Sequence, residues 1–269
     1  MKFPSAVSFA PILALFLFLI NTATHAQHSE AARVDSLCKT AETKLFAYPD
    51  SAFVTAQKAM KLASQIKYAP GMAKSLHLIG EVFYHQGFYN ESLKNLLEAE
   101  KIYNSENRDV ENAENLNQLG LVYYSVRQPD MAFEKHQQAL AIYERLKNPG
   151  GIAYTYGCLG RLYEKKQDYP RALAYQQKAL NYYQEVNDLK GTATILENIG
   201  SIYEDQEDYT TSQDFFTRAL KLNALTADSL PMIVNLNNLA DGYRKTGKNS
   251  QAIGYSQQAL ALALRLNDK

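Results

Sequence analysis

A small residue returns every 40 positions: Gly80, Gly120, Gly160 and Gly200 hold the slot, and Ala240 takes it next. Phe83, Tyr123, Tyr163, Tyr203 and Tyr243 follow three residues behind it, and Ile79, Leu119, Leu159, Ile199 and Leu239 directly precede it. Ser92, Ala132, Ala172, Ser212 and Ala252 come twelve behind, and Ala99, Ala139, Ala179, Ala219 and Ala259 nineteen behind. A fixed period of this length belongs to a repeat architecture. One unit is too small to bury its own apolar faces, so neighbours must stack.

Each unit reads as two helices. Ile195, Ile199 and Ile202 in the first, and Ala172, Tyr175, Ala179 and Leu180 in the second, follow the i, i+3, i+4, i+7 spacing of an amphipathic helix. Gln167-Asp168-Tyr169-Pro170 and Gly247-Lys248-Asn249 supply turn and cap residues between the two. Pro170 suits a first helical turn, where its missing N–H would be unpaired anyway. Gly71, Gly151, Gly191 and Pro231 are expected as breaks between units. Gly or Ala lets two helices cross closely, and the large Leu and Tyr fill the volume beside the crossing.

The string Leu159-Gly160-Arg161-Leu162-Tyr163, followed by Ala172 and Ala179, resembles the tetratricopeptide repeat. The resemblance implies an all-α fold, a right-handed α-solenoid of stacked antiparallel helix hairpins. It covers five units, 73–112, 113–152, 153–192, 193–232 and 233–269, preceded by a degenerate capping repeat over 27–72. In that cap Thr40 and Thr43 occupy the Gly and Tyr slots, and the apolar stripe runs through Val34, Leu37, Cys38, Ala41 and Leu45. There are departures from the family pattern. The period is 40 rather than the usual 34. The late aromatic of the second helix survives only as Phe216, with His136, Gln176 and Ser256 elsewhere. This longer form resembles the extracellular repeats of some bacterial sensor histidine kinases.

The first 26 residues are of another kind. Lys2 precedes an apolar run, Ile12 to Ile20, and then Thr24-His25-Ala26. This reads as a secretory signal cleaved after Ala26, which implies a periplasmic or secreted protein. An uncleaved anchor is the lesser reading, because the run falls short of the ~18–20 apolar residues a span needs. The carboxy-terminal stretch Ala259 to Leu266 is apolar on nearly every face. Leu260, Leu262, Leu264 and Leu266 stand where a further unit would begin. Three readings stay open there: a chain shorter than its parent, self-association or a partner at that end, or leucines tolerated at the surface.

With 28 basic and 28 acidic side chains the chain has no basic field for nucleic acid. Its two cysteines, Cys38 and Cys158, sit three repeats apart, beyond bridging distance, and Cys158 falls on an apolar face. No phosphate loop, paired-cysteine motif or His-Glu-x-x-His is present. No cofactor and no metal is expected. His77, Glu81 and His85 share one helical face, but ligands from one helix alone make a weak site. No nucleophile, base and oxyanion set can be assembled, so an enzyme is not expected.

The resemblance implies a concave groove lined by the first helix of each unit. Carried onto this chain, its contact residues are Lys74, His77, Glu81 and Tyr84 in one unit, then Asn117 and Tyr124. Tyr154, Arg161, Glu164 and Lys165 follow, then Glu197 and Glu204, then Asn237, Asp241 and Arg244. The paired Lys and Asn with which some family members grip a terminal carboxylate are absent. The expected function is an exported scaffold that binds a peptide or protein segment in the groove. The alternative is the sensory region of a bacterial membrane signalling protein.

Overall fold

A computed structural model describes residues 28–267, so the signal-like segment lies outside the described residues. Those residues form twelve helices and no strand. The first, α1, occupies 28–44. It is followed by α2 (Pro49–Gln65), α3 (Ala69–His85), α4 (Tyr89–Ser105), α5 (Asp109–Ser125), α6 (Pro129–Arg145) and α7 (Pro149–Lys165). Then come α8 (Tyr169–Glu185), α9 (Leu189–Asp205), α10 (Tyr209–Leu225), α11 (Ser229–Lys245) and α12 (Asn249–Asn267). No described helix is long and apolar enough to cross a membrane.

The 40-residue sequence period hides a finer one. Helices α2 to α11 are each 17 residues long, and a new helix starts every 20 residues. The connection after each of them has one construction. After α8, Asn187 takes a left-handed conformation (φ 55°). The Asn187 N–H then donates to Gln184 O at 3.1 Å, and the Asp188 N–H to Tyr183 O at 2.9 Å. These are the two bonds of a Schellman cap, which satisfies the orphan carbonyls of the helix end. Asp188 at once opens α9: its carboxylate accepts from the Gly191 N–H at 2.9 Å, and its carbonyl accepts from the Thr192 N–H at 2.9 Å. One residue thus closes one helix and caps the next. The same φ > 0 position recurs at Lys67, Gly87, Asn107, Arg127, Lys147, Gln167, Glu207, Ala227 and Gly247. The connection after α1 lacks it and is closed by Tyr48 N–H to Lys44 O at 2.8 Å.

Gly71, Gly151, Gly191 and Pro231, expected between units, are instead each the third residue of a helix. The pairs therefore start at Ala69, Asp109, Pro149, Leu189 and Ser229, about four residues before the boundaries read from the repeat. First-turn N–H groups have no partner inside the helix, so Pro costs little there. The glycines have a packing reason. A Cβ at Gly191 would stand 2.5 Å from the Tyr183 ring, and Gly151 meets Tyr143 in the same way.

The described residues divide into two compact units, 28–118 and 119–267. In the first, Val34, Cys38 and Ala41 of α1 pack with Ala56, Ala59 and Ala63 of α2 and with Leu78 and Ile79 of α3. The stripe read for the capping repeat is therefore the buried face of α1. Leu96 of α4 lies where a Cβ on Gly80 would be, and Ser92 Oγ donates to Gly80 O at 2.7 Å. Burying a leucine this fully contributes about 1.5–3 kcal/mol.

In the second unit α7 pairs with α8, α9 with α10 and α11 with α12. His136, Gln176 and Phe216, sixteen residues after the glycines, fill the crossings at Gly120, Gly160 and Gly200. Ala153, Ala179, Leu180, Tyr183, Ile195, Leu196, Ile199 and Ala219 form a core cluster, and Cys158 is buried. The aromatic that seemed lost from the second helix has moved one residue earlier. Tyr175 stacks on Tyr163, Phe215 on Tyr203 and Tyr255 on Tyr243, with centroids 5.4, 5.6 and 5.3 Å apart. Offset ring pairs of this kind add about 0.5–1.5 kcal/mol beyond their area.

Candidate interaction face

In the first unit the expected contact residues largely have partners within the protein. Lys74 Nζ donates to Glu42 Oε1 at 3.1 Å. Burial opposes the Lys74 charge, but Glu42 and Glu114 outweigh it and hold the ammonium above its ordinary pKa. His77 is buried, with Nδ1 3.0 Å from Asn115 Oδ1. Asn115 Nδ2 donates to Leu96 O at 2.9 Å, so its Oδ1 is the acceptor and His77 Nδ1 the donor. Glu81 Oε2 lies 3.7 Å from His77 Nε2. Tyr84 is half-buried, with His85 at 5.3 Å and Tyr89 at 5.9 Å between ring centroids. Asn117 is buried. Among the described residues no three His, Cys, Asp or Glu side chains are grouped to hold a metal ion.

In the second unit the end of α5, together with α7, α9 and α11, carries the expected residues. Tyr124 is 37% exposed and Tyr154 46%, and Arg161, Lys165, Asn237 and Arg244 are also exposed. Glu164 is not: it is 7% exposed. Burial pushes its carboxyl above the ordinary range; Asp205 adds to this, while Lys165 and Arg161 oppose it. Glu197 accepts from Asn235 Nδ2 at 2.7 Å and Asn223 Nδ2 at 2.9 Å. Lys245 bridges Glu204 at 3.1 Å and Asp241 at 3.0 Å, and Asp241 also takes Arg244 Nε at 3.0 Å.

His77, Asn117 and Glu164 thus depart from the expected open groove: all three are buried. The geometry of the slot three before the small residue explains His77 and one more, Glu197. His77 to Asn115 and Glu197 to Asn235 are the same contact in two different repeats. That slot points at the first helix of the following hairpin rather than at solvent. The asparagines that receive it, Asn115 and Asn235, are buried polar residues inside apolar helix faces. An asparagine within an apolar helix stripe is the sequence signal of this contact. Glu204 and Asp241, expected as groove contact residues, are both engaged by Lys245.

The buried titratable groups suit packing. Burial pushes the Cys158 thiol up to about 11. Burial, with Arg161 nearby, brings His136 down to about 3. At neutral pH the first is a protonated thiol and the second a neutral imidazole. On its first helices the second unit exposes a set of aromatic, cationic and amide groups: Tyr124, Tyr154, Arg161, Lys165 and Asn237.

A family model for the tetratricopeptide repeat matches residues 71–145, 151–224 and 191–265. The last two matches overlap, as expected of an array with no gap between units. No curated protein sequence matches. Among solved structures, BtubC (BKLC) from P. vanneervenii superposes with a TM-score of 0.64 at 16% identity, over 91% of this chain and 93% of that one. The apo form of RapI gives 0.69 at 17% identity, over 88% and 85% of the two chains. A Rap protein complexed with Competence and Sporulation Factor gives 0.66 at 16% identity, over 88% and 78%. At these identities the likeness is one of fold.

Proposed function

Since the chain belongs to the tetratricopeptide repeat family, we propose that it is a scaffold that holds a peptide or protein segment against the first-helix face of its second unit, without catalysing a reaction. The observation that carries this reading is the exposure of Tyr154, Arg161, Lys165 and Asn237 on α7 and α11. Exposed aromatic and Arg side chains are the residue types that dominate binding energy at protein interfaces. A related fold that has been solved with a bound factor, the Rap protein with Competence and Sporulation Factor, supports the same reading.

A photo-crosslinking residue at Tyr154 or Asn237, introduced in the native host, tests it. Discrete adducts are expected from these two positions and not from Glu134 on α6. Equal labelling from all three, or none, would count against the face.

We propose further that this binding takes place outside the cytoplasm, on the strength of the signal-like residues before Ala26. Fractionation of the native host, with antibody to residues 28–267, tests the location: recovery in the cytoplasmic fraction alone would overturn it.

A further inference from the structure

A groove of about 490 Å³ opens in the middle of the second unit, between the end of α8, the first half of α9 and the second half of α10. Leu196 and Leu222 give it an apolar floor, and Leu189, 42% exposed, extends this to one edge. Gln184, Arg218 and Lys221, all exposed, stand at the rim. No acidic side chain lines it. The Lys221 side chain is in no ion pair or hydrogen bond among the described residues. Arg218 is held only at its outer side: Nη1 lies 3.7 Å from Asp214 Oδ2, and Cζ stands 5.0 Å from the Phe215 ring centroid.

One unit earlier the protein fills the same slots itself. Forty residues before Leu196 and Leu222 stand Tyr156 and Tyr182, whose ring centroids are 6.1 Å apart. Forty before Arg218 stands Lys178, whose Nζ is 5.2 Å from the Tyr156 centroid, a cation over an aromatic face. Forty before Gln184 stands Glu144, which accepts from the Tyr156 hydroxyl at 3.4 Å. The cleft beside these helices is therefore one that takes aromatic rings beneath a cation.

At α8 to α10 leucines stand in place of both rings and leave their volume open. The charge differs as well. In the lining slots of the earlier unit Lys147 and Lys178 stand against Glu144, giving +1, whereas Arg218 and Lys221 give +2 here with no acid opposing them. The acid that met the phenol has become the neutral amide of Gln184, and Asn181 has become Lys221. Nothing in the lining repels an anion, and one ammonium has no partner.

We infer that this groove binds a small aromatic carboxylate, with its rings on Leu196 and Leu222 beneath Arg218 and its carboxylate on the Lys221 ammonium. The volume falls within the range of small-molecule sites and accommodates two rings with a short acidic chain. An ionic contact to Lys221 supplies orientation, and burial of the rings supplies the apolar contact. The groove shares no residue with the first-helix face proposed above and does not depend on it.

Titration calorimetry of the full chain with 2-naphthylacetate tests this, with 2-naphthylacetamide as the uncharged counterpart. The acid is expected to bind with a Kd below about 1 mM, and the amide at least about fivefold more weakly. Lys221→Asn, which installs the residue of the earlier unit at an exposed position, should remove that difference and leave the melting temperature unchanged. Leu222→Tyr restores a ring of the earlier unit and should abolish binding of both compounds. Absence of binding by the acid at about 1 mM would overturn the inference. Equal affinity for acid and amide would do the same, as would binding that persists in a folded Leu222→Tyr chain. If Leu222→Tyr unfolds the chain, Lys221→Asn decides alone: an undiminished preference for the acid overturns the assignment.

Discussion

Gln176 Nε2 lies 2.6 Å from the point where a Cβ on Gly160 would stand, and its Cγ 3.0 Å from it. The glycine and the long side chain sixteen residues later occupy one volume between them. Where the small slot holds alanine, at Ala240, the residue sixteen later is the short Ser256.

Gly160→Ala should therefore destabilise by about 1–3 kcal/mol through overpacking, despite a helix propensity gain of about 1 kcal/mol. Gly160→Leu should cost more. Adding Gln176→Ser to Gly160→Ala should recover part of the loss, although it removes the Gln176 Nε2 bond to Gly157 O. Urea unfolding of the double-mutant cycle checks this. Strictly additive effects would mean that the two residues do not share the crossing.

Ala227 holds φ 51° in the connection after α10. An L-residue loses about 1–2 kcal/mol in this region, whereas glycine enters it freely and costs about 0.5–1 kcal/mol in unfolded-state entropy. Ala227→Gly should stabilise by about 0.5–1 kcal/mol. Gly87→Ala, at φ 80°, should do the opposite. Denaturation midpoints of the two variants should move in opposite directions.

His136 and Glu197 give opposite pH responses. Burial holds His136 at about 3, below its ordinary 6.5. The unfolded chain takes up a proton between these values that the folded one refuses, so stability is present above pH 6.5 and is lost as pH falls toward 3. His136→Gln places there the residue that fills the same slot in the next repeat. It should remove acid sensitivity on the order of a few kcal/mol. A variant with the acid unfolding midpoint of the parent would refute this account.

Glu197 is raised above its ordinary value by burial, against the hydrogen bonds from Asn235 and Asn223. Its contribution is present below the unfolded pKa and is lost as pH rises through the folded one. Glu197→Gln keeps an oxygen acceptor and removes the buried charge. Its stability relative to the parent should be more favourable at pH 8 than at pH 5. Two unfolding curves per protein suffice, and a difference independent of pH would show that Glu197 does not titrate in this way.

The helix pairs were legible because their crossings need a particular residue type, glycine or alanine opposite a large side chain. The 20-residue spacing of the helices was not. The left-handed position that sets it holds Lys67, Asn107, Arg127 and Glu207 as readily as Gly87. A backbone conformation is repeated there without a repeated side chain. The interaction face follows from slots that the resemblance places in a groove, and Tyr154 and Arg161 in those slots are exposed. His77 is buried instead, because its slot meets the next first helix, where Asn115 is a polar residue on a largely apolar face.

Uniform spacing also has a mechanical consequence. Each hairpin comprises two helices that start 20 residues apart. Drawn out from one end, a hairpin that detaches from its neighbour releases the same length of chain each time, roughly 130–145 Å for 40 residues at full extension. Held between a surface and a moving tip, such a chain would lengthen in equal steps and act as a molecular ruler under tension.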